Sequence, residues 1–156
     1  MKKIATILIT ISFTFLCFIS NTHAYEEQII YQCIEETFDD GSYIETIIKH
    51  DVPLIRASSV SGTKTKNYKD KSGKIIWYVK VNGKFSYNGK TATCTTSNVE
   101  AKSSNYNWKI ASKKATRSGA TATASCTAKK YSALGIQLSS VNTSVSLTCS
   151  GTGKLS

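Results

Sequence analysis

The fold is decided by the stretch KIIWYVKVNGKFSY, residues 74–87. Apolar and polar side chains alternate along it. One side carries Ile75, Trp77, Val79, Val81, Phe85 and Tyr87, and the other carries Lys80, Asn82, Lys84 and Ser86. A period of two residues is typical of a β-strand with one face in the core and one in water. The stretch therefore predicts a long strand of an antiparallel sheet.

Further short segments with the same alternation follow and precede this strand, separated by turn residues. They cover residues 63–69, 90–101, 105–113, 120–131 and 136–149. No segment after residue 24 shows a sustained helical period. Such spacing predicts an all-β antiparallel β-sandwich. Trp77 and Trp108 fall on apolar phases and are predicted to be core residues. The alternating alanines of 120–128 suggest that the sheets approach closely there.

The segment before this domain predicts a β-hairpin. Residues 29–38 and 43–48 are rich in β-branched and aromatic residues, and the turn between them contains Gly41. We therefore divide the chain into an acidic β-hairpin arm over 25–50, a linker over 51–62 and a basic β-sandwich domain over 63–156. The predicted linker holds the only proline of the chain, Pro53.

The charge is unevenly distributed along the chain. Residues 25–51 hold eight acids and one base, whereas residues 52–156 hold seventeen Lys and Arg against only Asp70 and Glu100. Both surfaces could simply be solvated and keep the protein soluble. Alternatively, the acidic arm could fold against the basic domain and either mask it or complete it.

The first 24 residues predict export. The cationic start Met1–Lys3 is followed by an apolar run over 4–19 and by a small-x-small cleavage pattern that ends at Ala24. The run is shorter than the roughly 20 residues that span a bilayer. We therefore expect a signal peptide over 1–24, a secreted product and no transmembrane anchor.

Cysteines 33, 94, 126 and 149 follow the predicted signal peptide. In an oxidising compartment an even number of cysteines predicts disulfides first. No Cys-x-x-Cys pair is present, and His50 is the only histidine after residue 24. We therefore expect neither a metal site nor a cofactor.

The predicted strand registers favour one disulfide pairing. Asn88-Gly89 predicts a two-residue turn, which would place Cys94 opposite Gly83 and leave space for a disulfide. In the last hairpin Cys126 would face about Val141, far from Cys149. We therefore expect Cys94 to pair with Cys149, and Cys33 with Cys126. The order Cys94, Trp108, Cys149 loosely resembles the immunoglobulin pattern, although the spacing differs.

Three segments also carry a resemblance to a group of proteins. These are FDDGSY (38–43), WYVKVNGKFSYNG (77–89) and LTCSGTGKLS (147–156). They resemble segments of a group of small uncharacterised secreted proteins of Gram-positive gut bacteria. The resemblance implies export and a shared fold, and it implies no activity.

Groups that could catalyse a reaction are few. The basic domain offers Asp70 and Glu100 as its only carboxylates, and Asp70 lies in a predicted turn. His50 precedes Asp51, but no serine or cysteine stands in a recognisable nucleophile motif. A serine–lysine dyad stays open in a chain rich in both residues. We expect a protein that is not an enzyme.

Lysines offer a candidate binding surface. Lys80 and Lys84 are predicted to project outward from one strand together with Tyr78, and Lys109 and Lys113 from another. If those strands are neighbours, they form a flat basic patch; a solvated face that prevents aggregation is the competing interpretation. Only two arginines are present, which argues against nucleic acid as the partner.

Two functions therefore compete. The first is a secreted, non-enzymatic binding or interaction protein whose partner is an anionic cell-envelope polymer or another protein. The alternative is a secreted antagonist, either a small toxin or an inhibitor of an extracellular enzyme, suggested by small size, export and four cysteines.

Overall fold

A computed structural model describes residues 27–51 and 58–156. The predicted signal peptide lies outside the described residues, as do residues 52–57 of the predicted linker. The described part is all-β, as the alternation predicted. Its eight strands are β1 (Glu27–Thr37), β2 (Tyr43–Asp51), β3 (Ser59–Lys69), β4 (Ile75–Tyr87), β5 (Ala92–Ser103), β6 (Trp108–Ser118), β7 (Thr121–Tyr131) and β8 (Gln137–Thr148). Within the described ranges, no helix has the length and hydropathy to cross a membrane.

The strands form two antiparallel sheets in simple sequential order. The first sheet has five strands in the order β1-β2-β3-β4-β5, and the second has three in the order β6-β7-β8. The predicted β-sandwich is confirmed. In an immunoglobulin domain the two sheets take strands from alternating parts of the chain. Here each sheet is built from consecutive strands, so the connectivity differs from that analogy.

The acidic hairpin is part of the first sheet. β2 pairs with β3 without interruption, from Tyr43 opposite Lys69 to Asp51 opposite Ser61. β3 begins at Ser59, so it extends into the range predicted as a linker. Neither β1 nor β2 contacts a strand of the second sheet. The hairpin therefore completes the first sheet, and it does not cover the second.

The core lies where β3, β4 and β5 face the second sheet. Trp77 and Trp108 are buried there, as predicted, and both rings contact the ring of Tyr68. On the second sheet, the small inward residues of β7 are fully buried: Ala122, Ala124 and Ala128 have no exposed surface. These alanines allow the close approach of the sheets that the sequence suggested.

The predicted β4–β5 register is wrong by two residues. Tyr87 pairs with Ala92, so residues 88–91 form a four-residue loop, and Asn88 Oδ1 accepts hydrogen bonds from the backbone N–H groups of Lys90 and Thr91. This longer loop brings Cys94 opposite Phe85, and a bulge follows between Cys94 and Thr96. Gly83 instead makes room for packing, because a Cβ atom there would lie 2.7 Å from the Phe85 ring and 3.2 Å from Ala122 Cβ.

The predicted disulfides are not present among the described residues, whose four cysteines are free thiols. The Cys94 and Cys149 backbone N–H groups donate to successive carbonyls, those of Gly119 and Ala120. The β6–β7 turn therefore lies between these two cysteines.

The second predicted pair, Cys33 with Cys126, fails for a topological reason. Cys33 lies on β1, which makes no contact with β7, the strand that carries Cys126. The predicted register of the last hairpin is wrong by two residues, since Cys126 faces Thr143 and Val141 faces Ala128.

We expect Gly83→Ala to destabilise the fold by about 1–3 kcal/mol, because the added methyl group overpacks the contact between Phe85 and Ala122. Urea unfolding monitored by tryptophan fluorescence measures the loss. Ser86→Ala, on the exposed face of the same strand, is the control and should change stability by less than about 0.5 kcal/mol. Equal effects of the two substitutions would contradict the packing role of Gly83.

We expect alkylation by iodoacetamide to modify Cys33 first, because it is only half-buried. Burial raises the pKa of the Cys126 thiol to about 11 and also raises the pKa values of Cys94 and Cys149. Their thiolate fractions, and hence their reactivities, are therefore lowered. Mass mapping of peptides after timed alkylation gives the order. A disulfide-linked peptide in the purified protein would contradict this arrangement.

Candidate anion-binding face

The predicted binding residues do not form one patch. Tyr78, Lys80 and Lys84 lie on β4 of the first sheet, whereas Lys109 and Lys113 lie on β6 of the second. A shared patch requires β4 and β6 to be neighbouring strands. They belong to different sheets, and their outward faces point away from each other on the two sides of the sandwich.

The Tyr78 and Lys80 side chains already have a protein partner. The Tyr78 hydroxyl donates a hydrogen bond to Glu100 Oε1, and Lys80 forms an ion pair with Glu100 Oε2. The bonds from Lys80 and Tyr78 lower the pKa of Glu100, and the bond to Glu100 raises the pKa of Tyr78 to about 12. This part of the first sheet is therefore compensated in charge.

A β-bulge separates the two candidate lysines of β6. The bulge lies between Ile110 and Ser112, and it places Lys113 opposite the buried Cys126. Lys113 therefore lies on the phase that faces the first sheet, where its charge helps to lower the pKa of Glu100. Lys109 stays on the outward phase, opposite Lys129.

All described carboxylates of the strands and turns belong to the first sheet. Glu45 is the most enclosed of those in ion pairs: its Oε2 lies 2.7 Å from Lys69 Nζ, and Gln32 and Asn67 also donate to it. Glu35 accepts from Thr46 and pairs with Lys66. The acids of the hairpin thus neutralise lysines of their own sheet.

The second sheet, in contrast, carries basic residues without acidic ones. Residues 101–156 contain no Asp or Glu, and strands β6 and β7 carry six basic residues. Three of these lie on the outward phase: Lys109, Lys114 and Lys129. No carboxylate of the described residues lies within ion-pair distance of them.

Hydroxyl groups fill the space between these lysines. Outward side chains of neighbouring strands are hydrogen bonded in rows, as from Ser112 through Thr127 to Asn142, with distances of 3.0 and 2.7 Å. Two more rows join Thr123 to Ser146 and Thr121 to Thr148. We call the outward side of β6–β8 the lysine–hydroxyl face, comprising Lys109, Ser112, Lys114, Thr116, Thr121, Thr123, Ser125, Thr127, Lys129, Ser140, Asn142, Ser144, Ser146 and Thr148.

The electrostatics of this face favour an anion. Lys109 and Lys129 are directly opposite each other on neighbouring strands, a like-charge pair that destabilises a sheet. Lys109 Nζ lies over the Tyr131 ring at 5.3 Å, which provides some compensation. An anion bound between the two ammonium groups would relieve the remaining repulsion.

The geometry of the face suits a polymer more than a small ligand. Its concave part is a shallow depression of about 520 Å³ that Lys114, Ser125, Thr127, Asn142 and Ser144 line. Lysine binds phosphate as a flexible point charge, and hydroxyl groups can both donate and accept hydrogen bonds. Arg117 does not contribute, because its guanidinium donates to the carbonyl of Thr95 in the first sheet.

Sequence reasoning missed Lys114 and Lys129. The absence of acids after Glu100 could have identified them, since no residue of this region can form an ion pair with a local carboxylate. The alternation of threonine and serine opposite the alanines of β7 was the second signal, because it marks the outward phase on which Lys129 lies.

A groove of about 620 Å³ lies where the first sheet extends beyond the second. Ile30, Tyr31 and Ile48 line it together with residues 153–156, and Leu155 is buried. The His50 Nε2 atom beside it is buried without a hydrogen-bond partner. Glu35 and Lys64 bring both charges to this groove, so it lacks the cationic character of the lysine–hydroxyl face.

Comparison of the chain with protein-family models, with curated proteins and with solved structures gives no significant match.

We expect Glu45→Gln to reduce the acid sensitivity of the protein. Burial opposes ionisation of Glu45, but the bonds from Lys69, Gln32 and Asn67 outweigh it and lower the pKa of Glu45 below 4.5. A lowered pKa stabilises the fold above the unfolded value, and this stabilisation is lost as pH falls through the native value. At neutral pH the substitution should cost about 2 kcal/mol, and the stability profile below about pH 5 should flatten.

Urea unfolding across an acid pH series measures both effects. Glu27→Gln is the control, since it breaks the exposed ion pair with Lys49 and should change little. A Glu45→Gln profile with the wild-type slope below pH 5 would contradict the importance of this network.

Proposed function

We propose that the protein is secreted and binds anionic polymers of the cell envelope, without catalysis, through the lysine–hydroxyl face. One observation carries the proposal: the second sheet holds six bases and no carboxylate, and Lys109, Lys114 and Lys129 project outward without ion pairs. The apolar run over 4–19 supports export.

The arrangement of the acids supports a binding role over a catalytic one. Asp40 and Asp70 accept hydrogen bonds from the serines two residues after them, so they stabilise turns. Glu45 and Glu100 have lysine partners. Among residues 27–51 and 58–156, no cluster of His, Cys, Asp and Glu could hold a metal ion.

The chemistry of the face indicates the class of polymer. Phosphodiester or carboxylate groups would interact with the lysines, and sugar or glycerol hydroxyls would interact with the rows of Ser, Thr and Asn. Nucleic acid fits less well, because the described arginine binds backbone carbonyls and the face itself has no aromatic residue, while the neighbouring ring of Tyr131 is half-buried.

The triple variant Lys109→Gln, Lys114→Gln and Lys129→Gln should lose most binding to poly(glycerol phosphate). The probe is immobilised, and retention of the purified protein is measured across a salt series, with uncharged dextran as the matching neutral polymer. If each lysine displaces about one counterion, the slope of log affinity against log salt should fall by about three.

The matched control removes the same charge from the first sheet. Lys71, Lys74 and Lys84 are all exposed, and their triple replacement by Gln should leave the slope close to that of the wild type. Two results would overturn the proposal: equal loss in both variants, which would indicate a general effect of net charge, or wild-type binding that does not respond to salt.

A further inference from the structure

We infer that the β7–β8 hairpin tip is a second interaction site, which enters the headgroup region of an anionic lipid bilayer. Leu134, Ile136 and Leu138 lie in and next to this tip with 88%, 62% and 60% of their surface exposed. A cluster of large exposed apolar side chains within five residues marks an interaction site. This inference goes beyond polymer binding, because it concerns apolar residues outside the lysine–hydroxyl face.

The tip is a well-defined turn. The backbone N–H of Ser132 donates to the carbonyl of Ile136 at 2.8 Å, and that of Gly135 donates to the carbonyl of Ser132 at 3.0 Å. The Ile136 N–H also donates to Ser132 Oγ at 3.1 Å, and Gly135 adopts a φ of +80°. Its apolar side chains are therefore presented on a fixed turn, so little conformational freedom is lost on binding.

An aromatic residue lies on the neighbouring loop. Tyr106 is 85% exposed, and the carbonyl of the next residue, Asn107, accepts a hydrogen bond of 2.7 Å from the N–H of Tyr131 at the end of β7. The β5–β6 loop and the base of the hairpin are thus directly connected. Tyrosine favours the boundary between lipid and water, where its ring is in apolar surroundings and its hydroxyl is hydrated.

Charge identifies the partner as an anionic membrane. Lys129 and Lys130 come just before the tip, and Lys109 is opposite Lys129. Hydrogen bonds from Ser42 lower the pKa of Asp40, and the nearby charge of Lys130 adds to this effect, so Lys130 is partly compensated. Lys109 and Lys129 have no such partner among the described carboxylates, and they would attract anionic headgroups.

A second exposed apolar cluster on β1 provides the contrast. Ile29 and Ile34 are 53% and 60% exposed, but their strand also carries Glu27, Glu35 and Glu36 and no lysine. Glu27 and Glu35 are paired with Lys49 and Lys66, so this strand offers no uncompensated lysine to an anionic bilayer. The combination of exposed apolar groups with uncompensated lysines occurs at the hairpin tip, which is why we assign lipid binding there.

Vesicle sedimentation tests the assignment with the purified protein. Wild type should bind vesicles of equal parts phosphatidylglycerol and phosphatidylcholine, and it should bind pure phosphatidylcholine much more weakly. The double variant Leu134→Ser, Ile136→Ser should bind the anionic vesicles about tenfold less, because it removes two partly inserted apolar side chains. The matched control Ile29→Ser, Ile34→Ser should bind like the wild type.

The same variants separate this inference from the proposed function. The tip variant should retain wild-type binding to poly(glycerol phosphate), whereas the triple lysine variant should lose binding to both partners. Failure of wild type to bind anionic vesicles, or equal binding by the tip variant, would overturn membrane insertion and leave polymer binding intact.

Insertion itself is measured by Leu134→Trp. The native residues Trp77 and Trp108 are buried and provide a constant background. We expect the emission of the new tryptophan to shift to the blue on anionic vesicles and to be protected from acrylamide. Vesicle binding with unchanged emission and full quenching would show that contact is electrostatic only and would overturn insertion.

Discussion

The contact of Gly83 and Phe85 with Ala122 is the constraint on which the rest of the structure depends. The two sheets can approach closely only because one strand lacks a side chain at this point and the facing strand carries alanines. The aromatic cluster of Tyr68, Trp77 and Trp108 fills the space toward one end of the sandwich. The second sheet has three strands, and the inward residues of its central strand are mostly alanines. It nevertheless buries the inward side chains of the wider first sheet, because the two sheets lie close together.

The difference in width between the sheets separates the charges. Three strands cover only β3–β5, so β1 and β2 extend beyond the second sheet. Acids on these two strands find lysines on their own strands or on β3, as Glu45 does with Lys69. The lysines on the outside of the second sheet are on the far side of the molecule from these acids. The unequal width of the two sheets thus determines the distribution of charge over the molecule.

Sequence alone predicted the strands because alternation is a local property. All eight strands correspond to predicted segments, and the two tryptophans are in the core as expected. The registers were not predictable, since they depend on a four-residue loop at 88–91 and on single-residue bulges in β5 and β6. The loop moved Cys94 away from Gly83, and the bulge in β6 moved Lys113 to the opposite phase from Lys109. The candidate binding residues changed because a bulge adds one residue to a strand. Side chains beyond the bulge then point to the opposite face from the one that alternation predicts.

The positions of the lysines also indicate whether they serve only to prevent aggregation. Lysines that prevent aggregation belong on open strand edges, where unpaired backbone groups could add another strand. The edge strands are β1 and β5 of the first sheet and β6 and β8 of the second. Lys109, Lys113 and Lys114 lie on β6, where they can protect that edge. Lys129 lies on the central strand of the second sheet, where it protects no edge, and its position opposite Lys109 costs stability because the charges are alike. Edge protection therefore accounts for the lysines of β6 but not for Lys129, whereas an anionic partner accounts for a second positive charge opposite Lys109.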